Sequence, residues 1–188
     1  ILNVRNFSTN ISSSPDSDGD SLTYYWFRNG SLVQTTTFNS TMNITTDGNY
    51  ALNVSIFDGA EYSANASLSV DIDAISPAFY NNGSNVTSTQ TQNVVQLSIN
   101  WTDVYGVNTT ILEDNFTGVV TNTTVPAGGV SPFNMSFNRT ITVLGRNDTY
   151  FKFYGNDSAG NYNSTVKQVI AVLNTAPVCI WIYPTNNA

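Results

Sequence analysis

The sequence predicts an all-β chain folded into two sandwiches, and three observations carry that expectation. Val, Ile, Thr, Phe, Trp and Tyr, which suit a pleated, half-buried surface, make up 77 of the 188 residues. Glu and Lys, common on exposed helix faces, occur only twice each. No stretch holds a helical apolar period for three turns, whereas period-two alternation recurs between Asp-Gly and Asn-Gly turns.

A first strand-rich unit spans residues 1–73. It opens with ILNVRNF, passes through the loop SSSPDSDGDS and continues as LTYYWFRNG, SLVQTTTF and TMNITT. GNYALNVSIFDG and YSANASLSVDI close it. In ALNVSIF the inner face is Leu52, Val54 and Ile56, which leaves Asn53 outside. Turns at Asp18-Gly19, Asn29-Gly30, Asp47-Gly48 and Asp58-Gly59 separate strands at sandwich spacing.

The second unit, residues 74–174, starts at ISPAFYNNGS. NVVQLSINWTD, VNTTILED, GVVTNTTV, FNMSFNRTITV, DTYFKFYGNDSAGN and STVKQVIAVL follow. Leu97, Ile99 and Trp101 alternate with Ser98 and Asn100, and Phe133, Met135 and Phe137 alternate with Asn134, Ser136 and Asn138. Residues 175–188, in TAPVCIWIYPTNNA, have the form of one further strand.

DSDGDSLTYYWFRNG followed by GNYALNVSIFDG and ASLSVDI resembles the immunoglobulin-like modules of the PKD and cadherin-like type found in tandem on prokaryotic cell-surface glycoproteins. The resemblance implies that Trp26 is a core residue and that the strand from Gly48 to Tyr50 enters the core. WTDVYGV and YFKFYGNDSAGNYNST are similar to the D-x-x-G-N hairpin of bacterial and archaeal Ig-like repeats. Such modules begin with a strand introduced by a proline linker, as ISPAFY does, but the first unit begins at its second strand. The fold class expected is therefore two tandem immunoglobulin-like β-sandwich domains, the first lacking its own opening strand. Residues 175–188 are expected to complete the next module, either in the same polypeptide or in a neighbouring subunit by strand addition. A head-to-tail contact that does not close generates a fibre.

Only 10% of the residues are charged, the net charge is -7 and the sequence pI is near 4.1. That excludes the basic patch of a nucleic-acid binder and disfavours an anionic membrane surface. No apolar run is long enough to insert into a membrane, and no basic segment with an apolar signal core stands at Ile1, so an exported chain is expected to have lost its signal. Polarity comes instead from 26 Asn, 20 Ser and 24 Thr. Eighteen asparagines stand in N-x-[ST] acceptor sequences: Asn6, Asn10, Asn29, Asn39, Asn43, Asn53, Asn65, Asn82, Asn85, Asn100, Asn108, Asn115, Asn122, Asn134, Asn138, Asn147, Asn156 and Asn163. Composition alone yields about 6, so the excess reads as heavy N-glycosylation of an extracellular or cell-surface protein. A single Cys179 rules out an intramolecular disulfide framework and is expected at a buried strand position, with an intermolecular bridge as the alternative.

Histidine is absent, which removes the usual general base and the commonest metal ligand. Glu113 and Asp114 are adjacent on a strand and point to opposite faces, a poor arrangement for a catalytic acid pair. No enzyme activity and no organic cofactor are expected. Asp16, Asp18 and Asp20, around Gly19, offer hard oxygen ligands at alternate positions, as calcium loops do. The spacing is not that of an EF-hand. By resemblance to cadherin-like modules Asp58 joins the same cation; a metal-free Asx-turn loop explains the same residues, and both readings stand. Asp103 and Asp157 come second as calcium ligands. Tyr24, Tyr25, Trp26 and Phe27 are consecutive, so alternation turns two of them outward, toward a sugar or toward a neighbouring domain.

Together these features point to a structural subunit or repeat of a heavily N-glycosylated extracellular filament, surface layer or stalk. An adhesin or carbohydrate-binding accessory module of a larger surface protein is the alternative. That alternative requires a face with exposed aromatics and few acceptor asparagines.

Overall fold

The computed structural model describes residues 6–8, 16, 19–37, 41–44, 46–144, 148–174, 176, 177 and 179. Among them the chain is all-β. The first unit contains β1 (Asn6–Ser8), β2 (Thr23–Arg28), β3 (Ser31–Thr36), β4 (Thr41–Asn43), β5 (Gly48–Phe57) and β6 (Ala66–Ile72). The second contains β7 (Ala78–Ser84), β8 (Ser88–Gln90), β9 (Val94–Thr102), β10 (Val107–Asp114), β11 (Thr121–Val130), β12 (Phe133–Thr140), β13 (Tyr150–Asp157), β14 (Tyr162–Ser164), β15 (Gln168–Val169) and β16 (Ala171–Leu173).

In the second unit the sheet β12-β9-β7 faces the sheet β11-β10-β13-β14, with β15 also paired to β13. This is the immunoglobulin-like arrangement, in which the first, second and fifth long strands pack on the third, fourth and sixth. Alternation explains the core. Val95, Leu97, Ile99 and Trp101 of β9 are fully buried and meet Leu112, Phe151 and Phe153 from the opposite sheet. Each such side chain contributes about 1.5–3 kcal/mol by leaving water. The Trp101 indole N–H donates to Thr110 Oγ1 (3.0 Å), whose hydroxyl donates on to the Tyr154 carbonyl (2.9 Å). Gly155 lies under that ring, where a Cβ would meet it at 2.9 Å. The glycine in FYGND is therefore a packing requirement.

The first unit repeats the plan in reduced form. The sheet β3-β2-β5-β6 stands where β11-β10-β13-β14 does, and β1-β4 stands where β9-β12 does. Trp26, Tyr24, Leu52, Val70 and Ile72 form its core with Met42 and Ile44. Among the described residues no strand lies beside β1 in the place that β7 takes beside β9. The Asn29-Gly30 turn joins β2 to β3 with both residues at positive φ (49° and 79°), as a type I′ hairpin demands.

The strands depart from the sequence expectation in two places. β11 runs on past the expected segment GVVTNTTV, through Pro126, Gly128 and Gly129 to Val130. It is an edge strand, where a residue without an N–H costs no ladder bond. The short β8, which lacks any apolar alternation, pairs in parallel with β16 and fastens the end of the unit to its start.

Candidate functional site

Five residues, Asp73 to Pro77, connect β6 to β7. The Ala74 N–H donates to Asp47 Oδ1 (2.7 Å), which ties the connection to the first sandwich. The amides of Asn161 and Asn163 donate to the carbonyls of Asp73 (3.0 Å) and Pro77 (2.9 Å), which tie it to the second. Asp73 is only 1% exposed, and neither of its carboxylate oxygens accepts a hydrogen bond. Burial, then the charges of Asp157 and Asp103, push its carboxyl up to about 6; the Ile75 N–H offsets this in part, and Asp47 adds to the repulsion.

Two loops of the second sandwich bring carboxylates to the same place. Asp103 follows β9, donates its N–H to Ser131 Oγ (2.9 Å) and accepts from the Tyr105 N–H (2.8 Å). Gly106 fixes this loop: its φ is +92°, and a Cβ there would meet the Gly129 carbonyl oxygen at 2.1 Å. Burial raises the Asp103 carboxyl above the ordinary range, with Asp157 and Asp47 adding to the rise. Asp157 ends β13 and caps its own hairpin, accepting from the N–H groups of Ala159 (2.8 Å) and Asn161 (2.9 Å) and from the Asn161 amide (2.8 Å). The carboxylate oxygens of Asp73, Asp103 and Asp157 lie within 4.8 Å of one another. No other group of three acids is so close among the described residues. Asp47 stands near enough to repel both Asp73 and Asp103, and its Oδ2 is buried without a partner.

The loop singled out in the first unit is different. Asp16 and Asp58 line one hollow with Glu61, which the sequence had not placed there. The Asp20 N–H donates to Asp16 Oδ2, and Asp18 lies outside the described residues. Asp58 Oδ1 accepts from Ala60 and Glu61 (2.7 Å each), and these backbone donors hold its carboxyl below the usual range.

Of the acceptor asparagines, Asn29, Asn43, Asn65, Asn85, Asn108, Asn122, Asn134 and Asn138 are exposed, and Asn53, Asn82, Asn100, Asn156 and Asn163 are half-buried. Asn134 and Asn100 face each other across β12 and β9, with Asn138 further along the same outward row. Asn115 departs from the outward placement. It is buried, its amide donates to the Asp148 carbonyl (3.0 Å) and its oxygen accepts from the Tyr150 N–H (2.7 Å), because it bridges two loops. Asn163 spends its amide on the Pro77 carbonyl. The side chains of Asn6, Asn10, Asn39 and Asn147 lie outside the described residues.

Glu113 and Asp114 do face opposite ways. Glu113 accepts from the hydroxyls of Tyr150 (3.0 Å) and Tyr154 (3.1 Å) on the outer face, while buried Asp114 pairs with Arg139 (3.2 Å). Of the four consecutive aromatics, Tyr24 and Trp26 are core, and Tyr25 and Phe27 line an outer hollow with Tyr62. Asn53 and Asn65 border that hollow. Cys179 is exposed, contrary to the buried strand position expected of it. Burial there required a sheet to lie against, and among the described residues no strand pairs with it.

No protein-family model matches the chain, and no curated protein does. Among solved structures it is similar to the FN1-FN3 domains of chicken CNTN1, at 14% identity and a TM-score of 0.38. The match covers 91% of this chain and 64% of that one, so the chain spans under two thirds of its length. The immunoglobulin-like assignment rests on the strand order above.

Proposed function

We propose that the chain is a structural repeat or subunit of a heavily N-glycosylated extracellular filament, surface layer or stalk, built from PKD and cadherin-like modules and performing no catalysis. The observation that carries this reading is where the acceptor asparagines fall. Of the acceptor asparagines whose side chains are described, all but Asn115 reach the surface, eight of them exposed and five half-buried, while the alternating residues fill the core. No helix of the described residues is long and apolar enough to cross a membrane. Assembly runs head to tail, with residues 175–188 supplying the strand that lies beside β1 of the next module. Glycopeptide mapping of the protein from its native host tests the reading. Sugar is expected at most of the eight exposed positions and absent from Asn115, whose amide is occupied inside the fold. Bare asparagine at most of the exposed positions would overturn it.

One observation favours the second reading, an adhesin or carbohydrate-binding accessory module: the aromatic hollow of Tyr25, Phe27 and Tyr62. Acceptor asparagines on its border count the other way, since a sugar on Asn53 or Asn65 would cover it.

A further inference from the structure

We propose that the sugar carried by Asn156 is packed onto the second sandwich, its apolar face against Tyr154 and Tyr162 in a hollow of the outer sheet face; this rests on the glycan reading above. Asn156 lies on β13 between its cross-strand partners, Thr109 of β10 and Tyr162 of β14. Tyr154, two residues earlier, projects from the same face of the strand. Side chains directly opposite or two residues apart on one sheet face stand within about 4.5–8 Å, so a ring attached to the Asn156 amide has tyrosines on two sides. With Thr109, Ile111 and Glu113 these residues line a hollow of about 440 Å³. Pockets of about 300–1,000 Å³ take small organic ligands, so there is room for a sugar ring.

The platform is held in place before any sugar arrives. The Tyr154 hydroxyl donates to Glu113 Oε2 (3.1 Å), and Lys152 Nζ lies over the Tyr154 ring (4.4 Å to its centroid). Each Glu113 oxygen accepts one tyrosine hydroxyl and keeps a lone pair for a hydroxyl of the sugar. Tyr162 is 67% exposed and makes no side-chain hydrogen bond among the described residues, so in the bare chain its ring stands in water. The Asn156 amide is free in the same sense, unlike those of Asn115 and Asn163, which are spent on carbonyls. The first sandwich repeats the placement. Asn53 on β5, the strand that corresponds to β13, stands opposite Phe27 and lines the outer hollow with Tyr25 and Tyr62. An acceptor asparagine inside an aromatic hollow, on corresponding strands of both units, favours the chain's own sugar over one from solution, which an attached glycan would exclude.

The test is a double-mutant cycle on the chain purified from its native host: the parent, Asn156→Gln, Tyr162→Ala and the double variant, with occupancy of Asn156 measured by mass spectrometry in the two chains that retain it. Tyr162 is exposed and unbonded, so Tyr162→Ala should barely move the melting temperature of the Asn156→Gln chain. In the glycosylated parent the same substitution strips the sugar of its stacking partner, and the drop should be larger by about 4 °C. Equal drops with and without the sugar would overturn the packed sugar and leave the glycan reading standing. So would a bare Asn156 in a chain that carries sugar at its exposed positions. Bare asparagine at most of those positions would overturn both.

Discussion

At the scale of single residues, Asp73 shows how a fold can hold a side chain in a state that water would not choose. An aspartate in an unfolded chain titrates near 3.9, whereas burial and three neighbouring acids, Asp157, Asp103 and Asp47, raise it to about 6 in the folded chain. Between those values the folded state binds more protons than the unfolded one. The stability this group contributes is therefore fully present below about 3.9 and is lost as pH rises through about 6. Asp103, also raised by burial, acts in the same direction. Asp58, lowered by its backbone donors, acts oppositely but at more acid pH. Urea unfolding in chelator at pH 5 and pH 7 should give the higher midpoint at pH 5. The Asp73→Asn chain should lose most of that difference. A higher midpoint at pH 7 would show that Asp73 is not held in the buried, repelled position described.

At the scale of elements, the two sheets of the second sandwich are held by alternation in the middle and by one ion pair at the edge. Arg139 on β12 reaches across to Asp114 at the end of β10 and also donates to Thr123 Oγ1 on β11 (2.6 Å). Removing the arginine leaves a carboxylate that is 3% exposed without its cation. A fully buried pair broken in this way costs about 3–5 kcal/mol. Arg139 is partly solvated, so Arg139→Ala should lower unfolding free energy by about 1–3 kcal/mol. Lys152→Ala, on the outer face, should change it by less than about 0.5 kcal/mol. Equal effects in denaturant titrations would remove the cross-sheet role. The core strands were legible because alternation is a local property: Leu97, Ile99 and Trp101 announced their face from sequence, and Asn29-Gly30 its turn. β8 and the far half of β11 were not, since Thr-rich pairing and an edge proline are decided by neighbours distant in sequence. The carboxylate cluster was half legible for the same reason. Asp103 and Asp157 stood out as turn acids, but Asp47 and Asp73 join them only through the topology. The burial of Asn115 was not legible either, because an acceptor sequence does not reveal that its asparagine bridges two loops.

At the scale of the whole molecule, the matching strand orders of the two units set the last expectation. The second sandwich covers the outer edge of β9 with β7, and its register runs from Ala78↔Thr102 to Ser84↔Leu97. The corresponding edge of β1 in the first sandwich meets no strand among the described residues. An uncovered edge is a template for strand addition, and a segment of alternating apolar residues from another module is the partner that buries it. Residues 175–188 carry such a segment, with Val178, Ile180 and Ile182 at alternate positions. A chain ending at Asn174 should therefore melt at a lower temperature in its first sandwich, and a synthetic peptide of residues 175–188 added in trans should restore it. In sedimentation velocity the full chain should grow with concentration into end-to-end species, while the shortened chain stays monomeric. Growth of both alike would place the contact elsewhere. A peptide effect without growth of the full chain would mean that the strand is given within one polypeptide, from one repeat to the next.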